Sequence, residues 1–206
     1  MDSIDNPFMN ILHYTLGLPP TRSGGLTKYA TDLMVMQSER HNVTLLYPGG
    51  YNLFRRSGKL IHKSPYGKIR VYAIQNPVIV PLLYGISNPD EISDNHKRIS
   101  RERLEQFFHE VHPDILHLHT MMGLPIELLL FLKEKEVKVV YTSHDYFGLC
   151  PKVNFINQER LLCLGASGER CAKCNATAPS PLFLRVRNSQ WLLSLKNNRW
   201  LRKIKK

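Results

Sequence analysis

The chain has 206 residues, of which 43% are hydrophobic and 22% are charged, and its formal net charge is +11. This composition predicts a folded protein with one α/β domain or two small ones, and it excludes a disordered chain. No uninterrupted apolar run reaches the roughly 18 residues that a membrane span requires, and the acidic residues Asp2 and Asp5 are unlike a basic signal peptide. We therefore expect a cytoplasmic protein.

In chain order, short apolar runs alternate with segments of helical periodicity. The apolar runs predict buried strands at residues 9–14, 42–47, 69–74, 114–119 and 137–143. The periodic segments predict helices at residues 26–39, 94–112 and 124–135. Strands that alternate with helices form parallel sheets through right-handed crossovers. The predicted fold class is a Rossmann-like, doubly wound α/β domain over residues 1–180.

Positive charge is concentrated in residues 181–206, which contain eight Lys and Arg and no acidic residue. The first 180 residues therefore carry only +3 of the net +11, which argues against a nucleic-acid partner. Apolar residues alternate with the cations of this tail, and the pattern predicts a basic amphipathic helix. Two interpretations stay open. The helix packs on its own fold or on a neighbouring domain, or it lies on an anionic membrane surface at the inner face of the plasma membrane.

Two glycines follow the first predicted strand and precede the first predicted helix. In open parallel sheets, ligands bind beyond the carboxyl ends of the strands. Gly24 and Gly25 allow backbone N–H groups to approach an anion there, and the helix N-terminus adds a favourable dipole. Their spacing matches neither the dinucleotide-binding G-x-G-x-x-G nor a P-loop, and a simple turn is the structural alternative.

Histidines stand at the ends of two further predicted strands. His119 ends the fourth strand, and His144 and Asp145 follow the fifth. His144 can hydrogen-bond a ligand hydroxyl or carry transient charge beside a reacting centre. Asp145 either orients His144 or caps the next segment. We interpret His117, one pleat before His119, as a core histidine, and we reject a metal site on this pair because no carboxylate or cysteine completes it in the sequence.

Four motifs occur in one order: MNILHY at 9–14, the Gly24–Gly25 loop, PDILHLH at 113–119 and YTSHD at 141–145. Together they resemble the N-terminal domain of family 4 glycosyltransferases, which have the GT-B fold, and the resemblance covers nearly the whole chain. It implies two Rossmann-like domains that face a cleft. The N-terminal domain mainly binds the acceptor, a glycan or a lipid-linked acceptor, and the C-terminal domain holds the nucleotide-sugar donor. Transfer is of the hexosyl type, with retention of the anomeric configuration and usually without a catalytic metal.

The resemblance also implies roles for the candidate residues. Gly24 and Gly25 would approach the donor phosphates or the transferred sugar. His144 would be the catalytic residue that contacts the donor sugar near the reacting carbon, with Asp145 beside it and His119 lining the cleft. Family members need a second half with a glutamate pair, and residues 181–206 would lead towards it. Without a second half that binds the leaving nucleotide, its phosphate has no electrostatic stabilisation. We therefore expect that this chain by itself does not turn over a sugar nucleotide. The alternative is a non-catalytic, zinc-stabilised module that binds a partner protein.

All four cysteines lie within 25 residues in the pattern C-x₁₂-C-x₇-C-x₂-C, at Cys150, Cys163, Cys171 and Cys174. Four thiolates from one loop suit tetrahedral zinc, and a structural site is the leading prediction. Free or redox-active thiols, two disulfides and an iron–sulfur cluster stay open as alternatives. A zinc-bound loop directly after His144 would shape the acceptor pocket.

Overall fold

The computed structural model describes residues 8–54, 57–87 and 99–197, and these contain one six-stranded sheet. The strands are β1 (Asn10–Tyr14), β2 (Asn42–Pro48), β3 (Lys59–Tyr66), β4 (Ile69–Gln75), β5 (Ile115–Leu118) and β6 (Lys138–Tyr141). Their order in the sheet is β3-β4-β2-β1-β5-β6, and all neighbours are parallel except β3 and β4. The five predicted strands are confirmed, while β3 was not predicted.

Six α-helices lie in the described residues. They are α1 (Gly25–Gln37), α2 (Arg101–Val111), α3 (Ile126–Glu134), α4 (Gly168–Asn175), α5 (Pro181–Arg187) and α6 (Gln190–Asn197). The three predicted helices correspond to α1, α2 and α3. The first five residues of the second prediction, 94–98, lie outside the described residues.

The helices cover both faces of the sheet. On one face, Met34 of α1 packs against Val43 and Leu45 of β2. On the other face, α2 and α3 bury a larger set against β1 and β5, which includes Leu12, Leu116, Leu104, Phe107, Leu128 and Phe131. Burial of one such side chain contributes roughly 1.5–3 kcal/mol relative to exposure. The architecture is the predicted Rossmann-like, doubly wound α/β fold.

β1 lies at the point where the strand order reverses. From β1 the chain proceeds outwards to β2 on one side, and it later returns to place β5 on the other side. In doubly wound folds, ligands bind beyond the carboxyl ends of the strands at this reversal. We therefore expect a ligand at the loops that follow β1, β5 and β6, which we call the ligand-binding edge, and these loops carry the candidate residues named above.

The basic tail forms two short helices, which differs from the single helix that we predicted. The helices break at Asn188 and Ser189 because the Tyr51 N–H donates to the Asn188 carbonyl at 3.1 Å and the Gln190 N–H donates to the Tyr51 carbonyl at 3.0 Å. Leu184 of α5 is buried against the body, while Trp191 of α6 is exposed. Residues 198–206 lie outside the described residues. Association of the tail with an anionic membrane stays a prediction.

Helix lengths and hydropathy also bear on membrane insertion. Among the described residues, no helix combines the length and the apolar character that crossing a bilayer would need.

Candidate functional site

The loop after β1 leaves the N-terminus of α1 open. Gly24 is the N-cap residue, with φ 121° and ψ 173°, a backbone conformation that residues with a side chain rarely adopt. A Cβ placed on Gly24 or on Gly25 would meet no atom within 4 Å. No side chain caps the helix, and its first turn has no acidic residue. The N–H groups of this turn are therefore accessible to an anion, whose charge the helix dipole favours.

His144 lies beside this helix N-terminus. Its ring centroid is 5.0 Å from that of Tyr29, which is one turn after Gly25 on α1. It is 5.6 Å from the ring centroid of His119, which follows β5. The structure thus brings together the three groups that the sequence placed at separate strand ends: the glycine loop, His119 and His144.

A line of hydrogen-bonded side chains runs from α1 through the sheet to His144. His13 of β1 is bonded through Nε2 to Oε1 of Gln37, at 2.7 Å, and through Nδ1 to Nε2 of His119, at 3.0 Å. Nδ1 of His119 lies 3.4 Å from Nε2 of His144, a longer contact. His13 and His119 are both 0% exposed. We call these four residues, Gln37, His13, His119 and His144, the histidine chain.

Burial keeps His13 and His119, which we call the inner histidines, neutral at physiological pH. It lowers the pKa of His13 to about 4, with Gln37 opposing the shift and His117 adding to it. Burial lowers the pKa of His119 to about 3, and neighbouring His117, His13 and His144 lower it further. It also lowers the pKa of His117, with a smaller contribution from His144. Each neutral imidazole presents one N–H donor and one bare nitrogen acceptor.

Two expectations about these histidines differ from the structure. His119 was predicted to line the cleft, but its side chain is fully buried because the rings of His13, His117 and His144 pack around it. The metal interpretation of His117 and His119 was rejected for want of a third ligand in the sequence. The structure supplies His13, because β1 and β5 pair in register, and ligand nitrogens of His13, His117 and His119 lie within 4.8 Å of one another.

Asp145 has the capping role that we left open as an alternative. Its Oδ1 accepts a hydrogen bond from the N–H of Phe147 at 2.9 Å. The carbonyl of Asp145 accepts from the hydroxyl of Ser143 at 3.1 Å. These bonds fix the turn that carries His144 away from β6. The prediction that Asp145 contacts a ligand stays untested.

A cavity of about 590 Å³ opens at the same edge of the sheet, beyond the ends of β1, β2 and β4. Its cations are Arg22, from the loop after β1, and Lys63 of β3, and no acidic residue is found among the described residues that line it. The C-terminal helices close one side of the cavity through Asn188, Gln190 and Leu193. Its volume lies within the range of small-molecule sites.

Comparison with models of protein families gives a match to Glycosyltransferase Family 4 over residues 23–205. This match spans most of the chain. The chain belongs to glycosyltransferase family 4. Comparisons with curated proteins and with solved structures returned no match. The six-stranded domain is thus a glycosyltransferase domain.

The four cysteines of this glycosyltransferase domain surround one cavity of about 390 Å³. All four are free and half-buried. The Cys163 Sγ donates to the Gly165 carbonyl at 3.1 Å, and the Cys171 Sγ accepts from the Ser167 N–H at 3.4 Å. In the described residues, the three histidines form the one group of three or more potential ligands that converge, so the sulfur atoms line a common cavity without converging. Zinc binding stays a prediction.

Sequence reasoning missed two members of the histidine chain, His13 and Gln37. His13 lies inside a predicted strand, and Gln37 is the last residue of α1. The available signal was that His13 and His117 occupy similar positions in two predicted strands. Strands on either side of the reversal of a parallel sheet are neighbours, so their side chains can meet. That signal needs the register of β1 against β5, which the sequence alone does not determine.

Proposed function

We propose that this domain contributes the acceptor side and part of the donor-contacting surface of a retaining glycosyltransferase that uses a nucleotide sugar. The observation that supports the proposal is the position of His144 against Tyr29, one turn into α1, at the ligand-binding edge. An open helix N-terminus and an imidazole at the reversal of a doubly wound sheet suit a ligand that has both phosphate and hydroxyl groups.

In the proposed complex, the two parts of the donor meet different groups. The donor phosphates lie against Gly24 and Gly25, where backbone N–H groups and the helix dipole stabilise the negative charge that develops as the nucleotide leaves. The transferred sugar lies against His144, which hydrogen-bonds a sugar hydroxyl near the reacting carbon. The accessible N-terminal turn of α1 supports the first assignment.

The acceptor, a glycan or a lipid-linked glycan, enters the cavity beside the loop after β1. Arg22 is half-buried there. Burial, together with neighbouring Arg187, lowers the pKa of its guanidinium, which nevertheless remains a cation at neutral pH. A half-buried guanidinium in a cavity without acidic lining among the described residues favours a ligand that has a phosphate or carboxylate. The proposed acceptor therefore has an anionic group close to the sugar hydroxyl that it presents.

Replacing His144 by alanine is expected to weaken donor binding about tenfold, because one hydrogen bond to the sugar is lost. The measurement is saturation-transfer NMR on the protein with a panel of UDP-, GDP- and ADP-sugars, which detects weak binding. His109→Ala is the matched control, since His109 is an exposed histidine on α2, on the other face of the sheet.

Three outcomes of the donor-binding experiment are informative. Saturation of sugar protons that falls with about tenfold weaker binding in His144→Ala and persists in His109→Ala supports the proposal. Equal loss in both variants contradicts the role of His144. If the wild-type protein transfers no saturation to any nucleotide sugar, the proposal fails and the partner-binding module becomes the better account.

We also propose that the four cysteines bind one structural zinc ion. All four line the same cavity, and four cysteine thiolates are one of the tetrahedral ligand sets of structural Zn²⁺ sites. Protein purified without chelator is expected to contain about one equivalent of zinc, and Cys171→Ser and Cys174→Ser are each expected to lose most of it. A wild-type zinc content below about half an equivalent would contradict the proposal. Ser167→Ala, in the same loop, is the control that should keep the metal.

A further inference from the structure

The histidine chain has a direction that follows from the chemistry of its first member. The Oε1 atom of Gln37 is an acceptor, so the His13 Nε2 that lies 2.7 Å from it must carry the proton and donate. A neutral imidazole has one N–H, which leaves the Nδ1 of His13 bare. The Nε2 of His119, 3.0 Å from that Nδ1, must then be the donor in the second bond.

The same reasoning extends to His144. Because the Nε2 of neutral His119 carries its proton, its Nδ1 is bare and accepts. The Nε2 of His144, 3.4 Å away, is therefore the donor in the third contact. A neutral His144 then holds its proton on Nε2 and its lone pair on Nδ1. Every link depends on the inner imidazoles having a single proton, which their burial enforces.

We propose that Gln37, His13 and His119 are positioning residues that set the tautomer of His144, so that its Nδ1 is the hydrogen-bond acceptor offered to the donor sugar. The second half of this statement rests on the proposed function, whereas the tautomer itself does not. Gln37 and His144 are on different elements, the end of α1 and the turn after β6.

A metal ion shared by His13, His117 and His119 is the competing account of the cluster. The rings of His117 and His119 are stacked, with centroids 4.2 Å apart and an interplanar angle of 28°. Imidazole lone pairs lie in the ring plane, so stacked rings direct them side by side instead of towards one point. The 3.0 Å separation of the His13 and His119 nitrogens is also that of a hydrogen bond. The geometry favours the hydrogen-bonded chain.

The test exchanges the donor and the acceptor in the hydrogen bond between residue 37 and His13. In Gln37→Lys, the ammonium group can only donate, so His13 must accept through Nε2, and each later imidazole must reverse in turn. His144 is then expected to hold its proton on Nδ1. Gln37→Glu keeps an acceptor and is expected to leave His144 unchanged. Gln106→Lys, on α2, controls for an added positive charge.

The measurement is the ¹⁵N spectrum of the histidine ring nitrogens at neutral pH, in protein labelled only at histidine. The signals are assigned with variants in which one histidine at a time is replaced. We expect the Nε2–H form of His144 to dominate in the wild type, in Gln37→Glu and in Gln106→Lys. In Gln37→Lys the ratio of the two tautomers should change by about tenfold or more. A role that is only structural would change folding without reversing the tautomer.

Several results would overturn the inference. An Nδ1–H tautomer of His144 in the wild-type protein does so whether or not any variant folds. An unchanged tautomer in folded Gln37→Lys does so as well, and so does metal-bound imidazole nitrogen on His13, His117 and His119 after addition of one equivalent of zinc.

The donor-binding assay separates this inference from the proposed function. If Gln37→Lys reverses the tautomer and weakens binding of the nucleotide sugar as much as His144→Ala does, both proposals are supported. If it reverses the tautomer and leaves binding unchanged, the polarity of the histidine chain is supported and the proposed contact between the sugar and His144 Nδ1 is wrong.

Discussion

Acidification from pH 7 to pH 4 is expected to destabilise the fold by about 3 kcal/mol through His13 alone. Burial lowers the pKa of His13 from 6.5 to about 4 in the folded state, so the unfolded chain binds its proton first. The stability that depends on neutral His13 is complete above pH 6.5 and declines as the pH falls towards 4. His119, with a pKa of about 3, adds a loss of the same sign that continues to lower pH.

The measurement is the free energy of unfolding by urea at pH 7 and at pH 4, in the wild type and in His13→Gln. Carboxylates titrate in both proteins, so the comparison isolates the histidine. The variant should be less stable at pH 7 and should lose about 3 kcal/mol less than the wild type on acidification. His109→Gln, an exposed control, should behave like the wild type. Parallel pH profiles of the wild type and His13→Gln would contradict the assignment of His13 as a buried neutral group.

Gly123→Ala is expected to destabilise the domain by about 3 kcal/mol, the sum of two costs. Gly123 lies in the loop between β5 and α3, with φ +78°, and a Cβ there would be 2.7 Å from Pro48 Cβ and 2.8 Å from Val80 Cγ2. The left-handed backbone costs about 1 kcal/mol for alanine, and the overlap with two rigid side chains costs a further 1–3 kcal/mol.

Gly67→Ala separates the two costs. Gly67 lies in the turn between β3 and β4, with φ +58°, and a Cβ there would meet no atom within 4 Å. This variant should show the backbone cost alone, about 1 kcal/mol. Chemical denaturation of the two variants gives the comparison directly. Equal losses would mean that the loop after β5 moves freely away from the end of β2, against the close packing seen here.

The sequence was sufficient for the strands that are short apolar runs and for the helices with an apolar periodicity. The apolar runs that become β1, β2, β4 and β5 each pair with two neighbouring strands, and the run that becomes β6 lies at the edge with exposed residues. Their apolar character predicted all five. β3 was missed because most of its side chains are exposed and it contains Pro65, which is tolerated on an edge strand. The tail was predicted as one helix because its composition does not reveal the pairing of Tyr51 with the chain at Ser189.

The candidate site was predictable only at the residues that follow strand ends. His119 and His144 stand at strand ends, so topology alone places them at one edge of the sheet. That His119 is fully buried while His144 is half-buried depends on the side chains packed around each ring, which periodicity does not specify. His13 and Gln37 became visible only through strand register and helix packing.

The pairing of Tyr51 with residues 188 and 190 has a mechanical consequence. Asn188, Gln190 and Leu193 form one wall of the 590 Å³ cavity, and backbone hydrogen bonds fasten that wall to the segment after β2. A force on the chain after Gln190 would displace the residues that form this wall of the cavity. A movement of α6 would therefore change the shape of the cavity through a connection only a few residues long.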